Sequence, residues 1–294
     1  MPSVFVGLSY LEASLILKEQ AKFHAYSYAL IRYQGEQLFE EQFYRLDLRN
    51  KRDFREEKLE AWHFMLATSV DIAVDVLKRI NPKLALQLKT EIPPETVGKL
   101  YSSLTDATDK LLFPCILHGD LWSNNCLLKY DKEGKPCGVK FVDFQHTRRG
   151  NIFEDLVYFI LTSTTTEMRS QHLCKVLEDY FQSFEAALEG INVEMPIGFS
   201  LGFLFDNFNR YLRWGLSYMC FAIPLQLGNP ADVYKEQANR KKQNGVDETY
   251  DTEAEPNPET AGNDLKENLQ LMFESSLPAR QRLEDITMEI LNRK

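Results

Sequence analysis

The chain has 294 residues, 44% of them hydrophobic and 12% aromatic, enough for one large buried core or two modest ones, and this excludes a disordered or fibrous protein. Its 34 Lys and Arg face 43 Asp and Glu, for a formal charge of −9. A field of that sign attracts neither nucleic acid nor anionic lipid, so both drop out as partners.

The five cysteines are odd in number and show no C-x-x-C or metal-ligand spacing. Cys115, Cys126 and Cys137 fall in or beside apolar strand-like runs, which predicts reduced, buried thiols in a cytosolic protein. The opening MPSVFVGLSYLEAS lacks the basic stretch that precedes the apolar core of a signal peptide. The most apolar long segment, Pro196–Leu227, is interrupted by Asp206, Asn207, Arg210 and Arg213, which argues against a membrane span. A soluble, cytoplasmic protein is the expectation.

In chain order, Ser9 and Glu12 form a capping box ahead of Leu17, Ala21, Ala25 and Tyr28, and that spacing predicts a helix to near Ile31. His24 lies beside this stripe and reads as a packed core histidine. Asp53–Ile80 is helical and stops at Asn81-Pro82. Shorter helices are expected at Lys83–Leu88 and, entered through Pro93-Pro94, at Glu95–Leu112. Strand pattern is confined to Cys115–Leu117 and to Cys126–Tyr130 and Gly138–Phe144, the last two flanking a charged Gly- and Pro-containing turn over 131–136. Helices follow at Glu154–Thr162, Met168–Glu189 and Pro196–Gln226. The last carries Phe203, Phe205, Phe208, Tyr211, Trp214, Tyr218 and Phe221, an aromatic load that core packing explains better than a ligand cleft. Between Gly228 and Asn263 the composition turns polar and acidic, as in a solvated loop. Helical pattern resumes at Leu265–Phe273 and Pro278–Leu291.

The chemistry sits in LHGDLWSNNCLLKYDKEGKPCGVKFVDF, residues 117–144. His118, Gly119 and Asp120 come first, Asn125 follows, and Asp143-Phe144 closes a predicted hairpin. Metal-dependent phosphoryl transfer from a nucleotide needs that order: a carboxylate to orient the acceptor hydroxyl, then an amide and a second carboxylate to hold Mg²⁺ against the phosphates. Asp120 suits the base. Asn125 and Asp143 suit the metal and nucleotide ligands, brought together at the hairpin's open end. His118 is expected to bond backbone and fix the loop, and Gly119 to permit its tight path. Trp122 is a candidate wall of the substrate cleft. His146, Arg148 and Arg149 follow and suit either an anion contact or a bracing role. HGD alone is a common turn, and only the joint pattern is restrictive.

This block is similar to the catalytic region of the kinase-like phosphotransferases that include aminoglycoside phosphotransferases and choline kinases. LHGDLWSNN, YDKEGKP, VKFVDFQHTRRG and EDLVYFILTS resemble more closely the ecdysteroid kinase-like family, and AKFHAYSYAL (residues 21–30) resembles that family's first helix after the hinge. The resemblance covers most of Gly7–Gln226. It implies an α+β fold: the large, mostly helical lobe of a protein-kinase-like enzyme, with a small catalytic hairpin. It also implies ATP and Mg²⁺ as cofactors and a small-molecule hydroxyl, an ecdysteroid above all, as acceptor. Matched position by position, Asp120 is the base, Asn125 and Asp143 are the Mg²⁺ ligands, Asp155 braces the catalytic loop, and Gln145 stands where protein kinases carry Gly. Gln145 and Arg148 join Trp122 as candidates for the substrate cleft.

One departure stands against these matches. Ahead of Ser9 there is no GxGxxG and no strand-borne lysine, so the chain reads as the large lobe without the β-rich small lobe that roofs the adenine. The expected division is a hinge remnant over 1–8, the lobe over 9–228, an acidic loop over 229–263, and C-terminal helices over 264–294 packed on the lobe. Two functions stay open: a small-molecule kinase, favoured by Asp120, Asn125 and Asp143 together, and a catalytically silent kinase-like binding protein, favoured by the missing small lobe. A metallophosphatase fails, because the chain lacks the multiple His and Asp ligands of a two-metal site.

Overall fold

The computed structural model describes residues 7–42, 56–100, 115–228, 231, 235 and 258–293. Its described elements are α1 (Tyr10–Gln34), α2 (Glu36–Gln42), α3 (Glu56–Ile80), α4 (Pro82–Glu91), β1 (Cys115–Leu117), β2 (Cys126–Tyr130), β3 (Pro136–Phe141), β4 (Arg148–Gly150), α5 (Ile152–Ser163), α6 (Thr166–Glu189), α7 (Leu201–Leu227), α8 (Pro258–Ser275) and α9 (Leu277–Leu291). Helix dominates, and the strands form two separate antiparallel pairs, β1 with β4 and β2 with β3. The chain divides into two compact units, the described parts of Met1–Ala61 with Lys99–Gly215 and of Trp62–Gly98 with Leu216–Lys294.

In the first unit α1 lies along α6. The predicted capping box starts α1: the Ser9 Oγ accepts from the Glu12 N–H, and the Glu12 carboxylate accepts from the Ser9 N–H at 2.8 Å. Small residues on its inner face (Ala13, Ala21, Ala25) admit the larger Val176, Leu177, Tyr180 and Phe184 of α6, all buried. A buried carboxylate, Asp179 of α6, accepts from the Tyr10 hydroxyl at 2.8 Å and the Ser14 hydroxyl at 2.7 Å, so α1 and α6 are tied by polar contacts as well as packed.

Every residue of α5 is buried, which is why this helix is apolar all round where the others show one apolar stripe. Asn151 caps it, with Glu154 completing a second capping box. Gly215 of α7 allows close approach: a Cβ there would lie 2.3 Å from Val157 Cγ1 and 2.9 Å from Leu161 Cδ1. Ala favours a helix over Gly by about 1 kcal/mol, but overpacking of this kind costs about 1–3 kcal/mol. Gly215→Ala is therefore expected to lower the denaturant midpoint at unchanged slope, checked by urea unfolding.

The second unit packs Trp62 of α3 against Tyr218 and Phe221 of α7, with ring centroids 5.7 and 5.8 Å apart. Asn81 caps α4, its Oδ1 accepting from the Leu84 N–H at 3.2 Å. Helix α9 packs on both α4 and α8. Ser276 caps α9, and its hydroxyl donates to the Leu227 carbonyl at 2.7 Å. The aromatic residues of α7 divide between the two units. Phe208, Tyr211 and Trp214 are buried in the first, and Tyr218 and Phe221 meet Trp62 in the second, as expected of core packing.

Several boundaries differ from expectation. Helix α8 begins at Pro258 instead of Leu265, so residues 258–263 of the expected acidic loop are helical. Most of the rest of that loop lies outside the described residues, as do residues 53–55 and 101–112 of two expected helices. Strand β4 and helix α2 had no sequence expectation. Cys137 is exposed on β3, a strand none of whose residues is fully buried. Among the described residues no helix is long and apolar enough to cross a membrane.

Candidate active site

The site is assembled in the first unit by β1, the β2–β3 hairpin and α5. Strand β1 delivers His118 into the core, where it is wholly buried. Its Nε2 lies 3.0 Å from the Val142 carbonyl, and its Nδ1 lies 3.4 Å from the Asp120 N–H. One neutral tautomer satisfies both: the proton on Nε2 donates to the carbonyl, and Nδ1 accepts from the amide. The imidazole thereby joins the loop to the hairpin's second arm through the backbone contact expected of it. Phe144 covers its ring at 4.7 Å between centroids.

Gly119 has φ +82, and a Cβ there would sit 2.0 Å from the His146 carbonyl oxygen. No residue with a side chain fits this loop without displacing backbone. Both loop amides point at one carboxylate: the His118 N–H donates to Asp155 Oδ2 at 2.8 Å and the Gly119 N–H to Asp155 Oδ1 at 2.9 Å. This is the bracing position assigned to Asp155. Burial alone would raise the Asp155 carboxyl, but His24, the Arg148 charge and the Gly119 amide outweigh it and hold it below the usual carboxylate value.

Asp120 follows, half-buried. Its Oδ1 accepts from the Tyr158 hydroxyl at 2.8 Å. The Asn125 amide nitrogen donates to the Asp120 carbonyl at 2.8 Å and reaches Asp120 Oδ2 at 3.3 Å. Because Nδ2 is committed to Asp120, the Oδ1 of Asn125 is the atom available to a cation. The turn over Ser123–Asn125 leads into β2, and the Val142 N–H donates to the Asn125 carbonyl at 3.0 Å. That bond closes the open end of the hairpin and makes Asp143 the next residue along from Asn125's partner. At the far end Asp131 accepts the Glu133 and Lys135 amides and Gly134 adopts φ +78, the turn chemistry expected there.

Asp143 is exposed and adopts φ 64, one of two described non-glycine residues with positive φ. Such backbone is uncommon outside glycine and clusters at functional sites. Gln145 donates to its Oδ2 at 3.3 Å. Trp122 is half-buried between Leu121 and the Ser123–Asn125 turn. Arg148, which had two candidate roles, donates from Nη2 to Glu154 Oε2 at 2.6 Å and reaches the His146 carbonyl from Nη1. Cys126, adjacent to Asn125, is pushed up to about 12 by burial and is a packed thiol.

Two contributors escaped the sequence reading. His24 of α1 is wholly buried, with Nε2 3.2 Å from Asp155 Oδ2 and Nδ1 2.7 Å from the Tyr180 hydroxyl, so it backs the carboxylate that holds the loop. Tyr158 of α5 touches Asp120 itself. For His24 helical spacing gave no signal, because its partners come from α5 and α6. Tyr158 offered one hint, its place three residues after Asp155, which puts both on one face of α5.

The loop that carries Asp120 is held through its backbone by a buried aspartate, and Asn125 and Asp143 stand at the hairpin's open end. The sequence profile of the ecdysteroid kinase-like family matches residues 3–193. The chain belongs to that family, a kinase-like group of small-molecule phosphotransferases. Among curated proteins and solved structures nothing matches the chain.

Such kinase-like character implies ATP and Mg²⁺. Among the described residues no three His, Cys, Asp or Glu side chains cluster as a metal site. Magnesium bound through one or two protein oxygens and the phosphates does not require such a cluster. Asn125 Oδ1 and the exposed, lightly bonded Asp143 carboxylate are the hard oxygen donors it takes, so the donor set fits.

Proposed function

We propose that the chain transfers the terminal phosphoryl group of ATP, with Mg²⁺, to a hydroxyl of a small molecule, an ecdysteroid or a related steroid. The observation that carries this reading is the bond from the Asn125 amide to Asp120, together with the Val142 N–H to Asn125 carbonyl bond at the hairpin's open end, one residue before Asp143. In this reading Asp120 orients the acceptor hydroxyl and takes its proton. Asn125 and Asp143 hold the metal, which when bound offsets the charge of the phosphates. Asp155, braced by His24, fixes the loop that carries Asp120. Trp122 forms part of the acceptor's wall.

Mg·ATP titration followed by thermal unfolding tests it, with Asp143→Ala as the control. Ligand at 100 times its Kd adds about 2.7 kcal/mol of stability. A saturable rise in Tm that Asp143→Ala removes is the expected result, because that variant loses a metal ligand. An equal rise in both proteins refutes the metal-ligand assignment. No rise in either favours the catalytically silent reading.

A further inference from the structure

We propose that Tyr158 is a positioning residue of the transfer step: its hydroxyl pins Oδ1 of Asp120, so that Oδ2 is the oxygen that meets the acceptor's O–H. The inference rests on the phosphotransfer reading above and adds to it the assignment of which carboxylate oxygen works and what aims it.

An aspartate carboxylate turns easily about its last bond, whose preference is broad and two-fold. In a flexible loop either oxygen could then face the acceptor, and misplacement by an ångström can cost about 10²-fold in rate. Here α5 grips the loop at two points one turn apart. Asp155 takes the backbone amides of His118 and Gly119, and Tyr158 donates to the side chain that follows. The Tyr158 contact is a full-strength bond at 2.8 Å, whereas Oδ2 has only a 3.3 Å approach from an amide whose better bond, at 2.8 Å, goes to the Asp120 carbonyl. Oδ2 is therefore the less committed oxygen. Tyr158 is only 8% exposed and sits on the most buried helix of the unit, so its own position is fixed by packing.

In the step that follows, the acceptor oxygen bonds to the terminal phosphorus and its proton passes to Oδ2 of Asp120. The bond from phosphorus to the leaving diphosphate breaks, with its electron pair on the diphosphate. Tyr158 keeps its proton throughout and acts through Asp120, not on the substrate.

The test compares wild type, Tyr158→Phe, Asp120→Asn and the double variant in two measurements. The first is NMR of protein labelled at the tyrosine ring carbon that bears the hydroxyl, where the resonance missing from Tyr158→Phe is that of Tyr158. That resonance is expected to move in Asp120→Asn, whether or not an acceptor is turned over. The second is transfer from Mg·ATP to ecdysone. Tyr158→Phe is expected to lower kcat about 10- to 100-fold, the range for losing a hydrogen bond to a charged group, with KM for ATP unchanged. The double variant is expected to be no slower than Asp120→Asn alone, since both act on one group. A Tyr158 resonance indifferent to Asp120→Asn, or full kcat in Tyr158→Phe, overturns the proposal. Loss in KM instead of kcat assigns Tyr158 to binding and overturns it as well. A wild-type protein that binds no Mg·ATP and transfers nothing defeats the phosphotransfer reading and the positioning role with it, while the NMR still reports the contact.

Discussion

Asp120→Asn is expected to lower phosphoryl transfer by about 10²- to 10⁴-fold, the range for removing a positioned general base, while Mg·ATP affinity stays within a factor of about 3, below half of a tenfold step on the binding scale. The substitution is nearly isosteric. The new amide oxygen can still accept from Tyr158, and the Asp120 carbonyl that Asn125 holds is backbone and unchanged. What disappears is the charge and the lone pair that receive the acceptor's proton. Single-turnover kinetics beside a nucleotide titration separate the two effects. Retained turnover would remove Asp120 from the base role, and loss of nucleotide binding would move it among the metal ligands.

Asp155→Ala should cost about 3–5 kcal/mol of stability, the range for breaking one partner out of a buried charged network, and should abolish transfer with it. The carboxylate accepts from two loop amides and lies 3.2 Å from His24, all of it buried. Alanine leaves those donors without an acceptor in a site that water does not reach. Asparagine is little better, since its NH₂ must face an N–H that also donates. The pH dependence has a definite sign. Because the folded Asp155 carboxyl lies below its ordinary value, its contribution is fully present above about pH 4, the unfolded carboxyl value. It is lost as pH falls through the depressed folded value. Asp155→Asn should therefore flatten the acid limb of stability below about pH 4 and leave the neutral range parallel to wild type. Urea unfolding between acid and neutral pH checks it, and an acid limb as steep as wild type would mean that other carboxylates carry the acid sensitivity.

The local features were legible in the sequence. The capping box of α1 uses two residues three apart, Ser9 and Glu12, and the hairpin turn uses Asp131, Gly134 and Lys135, so neighbours in sequence decide both. The motif residues were legible for the same reason: His118, Gly119, Asp120 and Asn125 share one short loop, and a hairpin is the simplest way to bring Asp143 back. Strand β4 was not legible. Its three residues, Arg148, Arg149 and Gly150, carry no strand pattern and are held by register with β1. The exposure of Cys137 was not legible either, because it follows from how little of β3 is covered by other elements, not from the strand's own residues.

The sequence by itself determined the helical character, the position of the motif loop and the family, because periodicity, capping and motif order act over a few residues. Only the tertiary structure decided what stands behind that loop. His24 and Asp155 are 131 positions apart, Tyr158 and Asp120 are 38 apart, and Arg148 takes Glu154 as an ion-pair partner at 2.6 Å. A buried polar side chain takes its role from the donors and acceptors that packing brings within hydrogen-bond reach. Those partners come from elements whose own patterns record only that they are buried.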